Sequence, residues 1–126
     1  MIRLFTLIIL LTLSLSSFAT YSGNDVIHEC PLLLDKDAWD EMENVLKGTK
    51  CAGYLNGLND MAILFQTVVL DIKLYCLPEN GIETGQLIRV TAKWLEANPE
   101  VLHESMRSLF IGIMKEAFPC NNQSAQ

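Results

Sequence analysis

Residues 49–75 read TKCAGYLNGLNDMAILFQTVVLDIKLY, and the spacing inside this stretch decides the fold. Leu55, Leu58, Ala62, Phe65, Val69 and Ile72 recur at intervals of three and four, the repeat of an amphipathic α-helix with one inward face. The spacing predicts one long helix from about Thr49 to Tyr75. Its apolar part, Met61 to Ile72, is interrupted by Gln66 and Asp71 and falls short of the ~20 apolar residues that a bilayer crossing needs. Val68-Val69 alone is too little for a strand. Gly53 and Gly57 form a G-x-x-x-G pattern, which signals close helix packing, within the fold or across a dimer, and is no phosphate loop.

The flanking sequence continues the helical reading. Upstream, Asn24 is expected to cap a short segment, Asp25 to Glu29, closed by Cys30-Pro31. Asp35 or Asp37 can cap a second helix running to Leu46, with Gly48 just past its end. Trp39, Met42 and Leu46 share one side of that helix, and Asp37, Asp40, Glu41 and Glu43 the other. Downstream, Pro78-Glu79-Asn80-Gly81 is a loop, because Asn-Gly tolerates the positive φ of tight turns. Thr84 then caps a helix from Gly85 to Ala97 with Leu87, Val90, Trp94 and Leu95 inward. Asn98-Pro99 ends it and opens a last helix, Pro99 to Ala117, that buries Leu102, Met106, Leu109, Ile113 and Ala117. The tail, Asn121 to Gln126, is polar and expected to fray. The sum is an all-α protein, a small disulfide-stapled bundle of about four to five helices without repeats or a second domain.

Residues 1–19 have the three parts of a secretory signal peptide: Arg3, the uncharged run Leu4 to Leu15, and Ser17-Phe18-Ala19. Cleavage is expected after Ala19, leaving 20–126 as one domain. The apolar run is too short for a membrane anchor, and no cysteine at the cut offers a lipid anchor, so no membrane association is expected after cleavage. All four cysteines lie downstream, which points to an oxidising compartment. Cys30, Cys51, Cys76 and Cys120 are separated by 21, 25 and 44 positions. None forms a C-x-x-C pair, which argues against a zinc knuckle or a thioredoxin-type site. Four cysteines permit three connectivities. The helix layout favours Cys30–Cys51 with Cys76–Cys120, because the last helix returns towards the end of the long one. Each such closure contributes on the order of 3–4 kcal/mol in the loop-entropy picture.

Nine basic residues face 15 acidic ones, a formal charge of −6 that loss of Arg3 makes more negative. That balance argues against nucleic acid and anionic membranes as partners, and fits a basic protein surface or plain solubility. Catalytic signals are thin. His28 and His103 are the only histidines, neither stands in a nucleophile context, and His103-Glu104 lacks the second histidine of H-E-x-x-H. Asp37, Asp40, Glu41 and Glu43 lack the loop glycine and final glutamate of an EF-hand, so they read as a solvated face or a docking patch. Asn122-Gln123-Ser124 matches a glycosylation sequon, but three-residue matches are common by chance and it is not read as a site. No enzyme, cofactor or metal is expected.

Cys51-Ala52-Gly53-Tyr54-Leu55-Asn56-Gly57 resembles the start of the central helix in Rap/Tai-type immunity proteins, which guard bacteria against peptidoglycan amidases delivered by type VI secretion. Further matches follow in order. They are Gly23-Asn24-Asp25-Val26-Ile27 with Cys30, Cys76-Leu77-Pro78, Gln86-Leu87, Trp94-Leu95, Asn98-Pro99-Glu100 and Ala117-Phe118-Pro119-Cys120. The acidic stretch from Leu33 to Lys50 sets this chain apart. The resemblance implies a small helical periplasmic protein, often a homodimer, that occludes the cleft of an amidase effector and needs no catalytic group. Within that reading the contact surface is expected at the loop Glu79, Asn80, Gly81, Ile82 and Glu83, with Ile82 as apolar anchor. The acidic face of Asp37, Asp40 and Glu41 comes second. Two rival classes are a periplasmic acid-stress chaperone and a small-ligand carrier with a cavity lined by Phe65, Trp94 and Phe110.

Overall fold

Ser22, rather than Asn24, opens the first helix. In the computed structural model, which describes residues 20–120, its hydroxyl accepts from the Asp25 N–H (3.3 Å) while the Asp25 carboxylate accepts from the Ser22 N–H (2.7 Å). This reciprocal box satisfies two donors that the first turn would otherwise leave orphaned. The expected leader 1–19, the tail and the 122–124 sequon lie outside the described residues. Helix α1 spans Gly23–Glu29 and runs into a 3₁₀ turn, Cys30–Leu33.

The second helix differs from expectation. Asp35 does cap, accepting from the Asp37 N–H, but Lys36–Asp40 closes only a 3₁₀ turn. The chain is extended at Glu41, and helix α2 runs unbroken from Met42–Leu64, through Gly48. Gly48 is there for close approach rather than as a stop. A Cβ on it would lie 2.7 Å from the Leu33 backbone nitrogen, which crosses this face of the helix. Helix α2 then widens into a π-helical turn, Phe65–Val69, and ends at Leu70 instead of reaching Tyr75. The Gln66 carbonyl accepts from the Ile72 N–H, and its side-chain oxygen accepts from the Leu74 N–H at 2.7 Å. These bonds replace the helical ladder.

Helix α3 spans Thr84–Ala97 with Glu83 in the cap position. The Thr84 hydroxyl, expected as the cap, instead accepts from Asn56 Nδ2 of α2 at 3.0 Å. The helix expected from Pro99 is split into a 3₁₀ turn, Pro99–Val101, and α4, Met106–Ala117, which Ser105 caps. The cause is competition for backbone groups. Leu102 and Glu104 carbonyls accept from the Asn24 and Gly23 N–H groups, and the Met106 N–H donates to the Tyr21 carbonyl. Ser22 and Ser105 face each other in an antiparallel bridge, and no strand occurs among the described residues.

The core gathers Val26 of α1, Leu55 of α2, Leu87, Ile88 and Leu95 of α3, and Met106, Phe110, Ile113 and Met114 of α4. Cys30 pairs with Cys51 (Cα–Cα 5.2 Å) and Cys76 with Cys120 (4.9 Å), the pairing that the helix layout favours. The outcome is an all-α, disulfide-stapled bundle of four helices over the described residues. Part of the expected core is outside it. Leu55 and Ala62 are buried and Leu58 half-buried, whereas Phe65, Val69 and Ile72 are exposed, as are Trp39, Met42, Leu46 and Ala117. The π turn, which changes the residues per turn after Leu64, shifts Val69 out of the register expected of one continuous helix, and Ile72 lies beyond the helix end.

Candidate functional site

Helix α2 is apolar on two sides. Its inner side buries Cys51, Ala52, Leu55, Asn59 and Ala62. Its outer side presents Met42, Leu46, Met61, Leu64 and Val68, which are between 53% and 71% exposed. With Gly53 and Gly57 these residues follow the three- and four-residue spacing of a single face. The two glycines lie at the middle of the stripe, and a Cβ on either would meet nothing within 4 Å. The G-x-x-x-G pattern therefore serves no packing within the described fold. From Met42 through the π turn the stripe is about 40 Å long at 1.5 Å per residue. Scattered exposed apolar side chains are ordinary, but here they gather at the two ends of the stripe, Met42 with Leu46 and Met61 with Leu64 and Val68. Between the two clusters lies a stretch holding Thr49, Lys50, Gly53, Gly57 and Asp60. No described residue covers the second cluster, which marks a candidate interaction surface.

The far end of the stripe carries further unusual features. Phe65, Val69 and Ile72 add apolar surface around the π turn. Asp71 has φ +48°, the left-handed region that a side chain other than glycine rarely adopts. Gln66, Thr67, Asp71, Ile72 and Lys73 line a shallow cleft beside it. The connection that follows is fastened at three points. Gln66 holds the backbone of Leu74, the Tyr75 hydroxyl donates to Asn59 Oδ1 at 2.9 Å, and Cys76 is bonded to Cys120. Burial, with the Asp60 carboxylate nearby, pushes the Tyr75 hydroxyl up to about 12, so it stays a donor at neutral pH.

A polar clasp closes the other end of the fold. Tyr21 donates its hydroxyl to Glu29, and Lys50 Nζ binds both Glu29 oxygens at 2.9 and 3.0 Å. The same ammonium lies 5.1 Å from the Tyr21 ring centre, and the Tyr21 and Tyr54 rings are 4.7 Å apart. Burial and the Glu29 carboxylate raise the Tyr21 hydroxyl far above its ordinary value, which makes it no acid or base near neutrality. All four cysteines are paired, and no group of three His, Cys, Asp or Glu among the described residues could hold a metal ion.

A family model for Rap1a immunity proteins matches residues 22–120. The chain belongs to the Rap1a immunity protein family. No match is found among curated proteins or among solved structures. The matched span runs from the Ser22 cap to Cys120, so it takes in every helix and both disulfides described above. Membership supports an immunity role, exercised by binding a cognate effector.

In this Rap1a-family chain the residues singled out from sequence fall in two separate places. Glu79, Asn80, Gly81 and Glu83 are exposed in a turn where the Gly81 N–H donates to the Pro78 carbonyl at 2.8 Å and Gly81 has φ +71°. Ile82 differs from the free anchor expected of it. It is half-buried and packs against the core. Its position just before the cap, with Leu87 four positions into α3, is that of a hydrophobic staple. Asp37, Asp40 and Glu41 are exposed but share no helix face with Glu43, because the chain breaks at Glu41. Glu43 instead pairs with Lys47 at 2.6 Å along α2. The aromatic cavity of the carrier reading also fails to assemble. Phe110 is core, Phe65 is exposed, and Trp94 donates its Nε1–H to Glu116 at 2.6 Å in an open groove that includes neither. Sequence reasoning passed over the outer stripe, although Met42, Leu46, Met61, Leu64 and Val68 already spelled a second apolar face.

Proposed function

We propose that this protein acts in the periplasm, after loss of residues 1–19, by docking onto a peptidoglycan amidase delivered by type VI secretion and covering its cleft. Residues 20–126 form the working domain in this reading. The family match over residues 22–120 is the observation that carries it. The exposed face of α2 supports it, because tight recognition relies on a few apolar anchors inside a water-excluding rim. A stapled helix offers those anchors already ordered, which lowers the cost of fixing them on binding. Blocking a cleft requires no bond chemistry, so a non-enzymatic inhibitor needs nothing that this surface lacks. The acidic surplus speeds encounter with a basic effector, and Glu79, Glu83, Asp37, Asp40 and Glu41 are the rim charges for that task.

A pairing of two copies is the second reading, favoured by Gly53 and Gly57. The open space over both lets another backbone approach closely, and a copy of the same helix supplies a matching apolar face. One experiment separates the two uses. Leu64→Asp and Val68→Asp are introduced singly, and inhibition of the amidase encoded beside the gene is measured together with molar mass in solution. Inhibition is expected to weaken at least tenfold, about 1.4 kcal/mol, with the thermal midpoint unchanged. Full inhibition by variants that have become monomeric would assign the stripe to the dimer and move the effector contact to the 79–83 loop. Full inhibition with unchanged mass would remove the stripe from both.

A further inference from the structure

We propose that the Cys76–Cys120 bond is a site of reversible thiol–disulfide exchange, whereas Cys30–Cys51 is a permanent staple. The cysteine spacing treats the two pairs alike, but the fold does not. Cys30 and Cys51 are fully buried and belong to the same apolar cluster as Val26 and Leu55. Their sequence neighbours Glu29 and Lys50 are bonded to each other, a second tie between the same two chain segments. Cys76 and Cys120 are both half-exposed, and Pro119 next to them is exposed. Exchange needs a thiolate to reach a sulfur along the S–S axis, so access separates the two pairs.

The co-reactant is a dithiol. Its thiolate attacks one sulfur of Cys76–Cys120, the S–S bond breaks, and the electron pair leaves on the other sulfur, which takes up a proton. The second thiol of the reductant then attacks the mixed disulfide and releases the remaining cysteine as a thiol. Two electrons and two protons pass from the dithiol to the protein, and the reductant leaves as a disulfide.

The structural consequence is local. Upstream of Cys76 the connection stays anchored by Tyr75 on Asn59 and by Gln66 on Leu74. At Cys76 the covalent bond and one hydrogen bond, from the Cys76 N–H to the Phe118 carbonyl at 2.9 Å, join it to the end of α4. Reduction removes the covalent tie and leaves that hydrogen bond with the packing of Leu77, Ile82 and Phe118 against the core, so the 76–83 loop and residues 117–120 loosen while the helices remain. The exchange therefore sets the stiffness of the loop bearing Glu79 to Glu83, whose far end is held to the middle of α2 by the Thr84–Asn56 hydrogen bond.

The test is graded reduction of the full oxidised chain with dithiothreitol, followed by pulse alkylation and peptide mapping. Cys76 and Cys120 are expected to become alkylated at reductant concentrations at least tenfold below those needed for Cys30 and Cys51. At that stage helical circular dichroism should be retained, and faster hydrogen exchange should be confined to 76–83 and 117–120. The double variant Cys76→Ser/Cys120→Ser should reproduce the same exchange pattern without reductant. Reduction of both pairs together, earlier reduction of Cys30–Cys51, resistance of Cys76–Cys120 until the protein unfolds, or loss of helix with the first step would each overturn the proposal.

Discussion

Gly48 and Gly53 stand five positions apart on one helix, and their surroundings give them opposite roles. At Gly48 a methyl group would collide with the Leu33 backbone, which cannot swing aside as a flexible side chain could. Gly48→Ala is therefore expected to destabilise the protein by roughly 1–3 kcal/mol, the usual range for overpacking. At Gly53 and Gly57 the same methyl enters open space, so Gly→Ala should stabilise by about 0.5–1 kcal/mol through helix propensity. Thermal or urea unfolding of the three single variants checks the signs. A loss of stability at Gly53 in dilute solution, relieved in no other variant, would instead report a contact already made there. Neither role is visible in the residue letter, since only the chain crossing above α2 distinguishes them.

At the scale of elements, α1 is seven residues long and owes its start to the Ser22–Asp25 box. Partial burial pushes the Asp25 carboxyl up, but bonds from the Ser22 N–H and hydroxyl outweigh it, helped by Lys50 and His28, and hold it below its ordinary 3.8. A depressed carboxylate stabilises the fold above its unfolded value, and that contribution disappears as pH falls through the folded one. Asp25→Asn, which leaves the Ser22 cap and removes the negative charge at the helix start, should therefore cost about 0.3–1 kcal/mol near neutral pH. The gap between variant and wild type should narrow as pH falls below 3.8, in a series of unfolding curves. Helix existence was legible in the sequence, because three- and four-residue spacing and the Asn-Gly and Asn-Pro breaks are local signals. Helix limits were less so. Gly48 reads as a stop, yet it serves a tertiary crossing, and the Pro99 start fails because Leu102 and Glu104 bond backwards to Gly23 and Asn24. The outer stripe was hidden for a related reason. A helix apolar on both sides spreads its signal, so Phe65, Val69 and Ile72 appear as core although they lie in or beyond the π turn and are exposed.

The whole molecule is joined end to end. Gly23 and Asn24 donate to Glu104 and Leu102 at 3.1 and 2.8 Å, and Tyr21 accepts from Met106 at 2.9 Å. The start of α1 is thus completed by residues some eighty positions away. Such pairings must wait until the intervening chain has been brought together. In refolding followed by pulsed hydrogen exchange, the Gly23 and Asn24 amides should gain protection in step with α4 and after the inner face of α2. Protection of those two amides ahead of α4 would contradict the assignment of their acceptors. The same tie has a bearing on biosynthesis. A nascent polypeptide, made from its first residue onward, carries an unfinished opening helix until its final fifth has been threaded out. Premature termination before Leu102 would accordingly strip the opening helix of the two carbonyls that complete its first turn, along with the whole of α4.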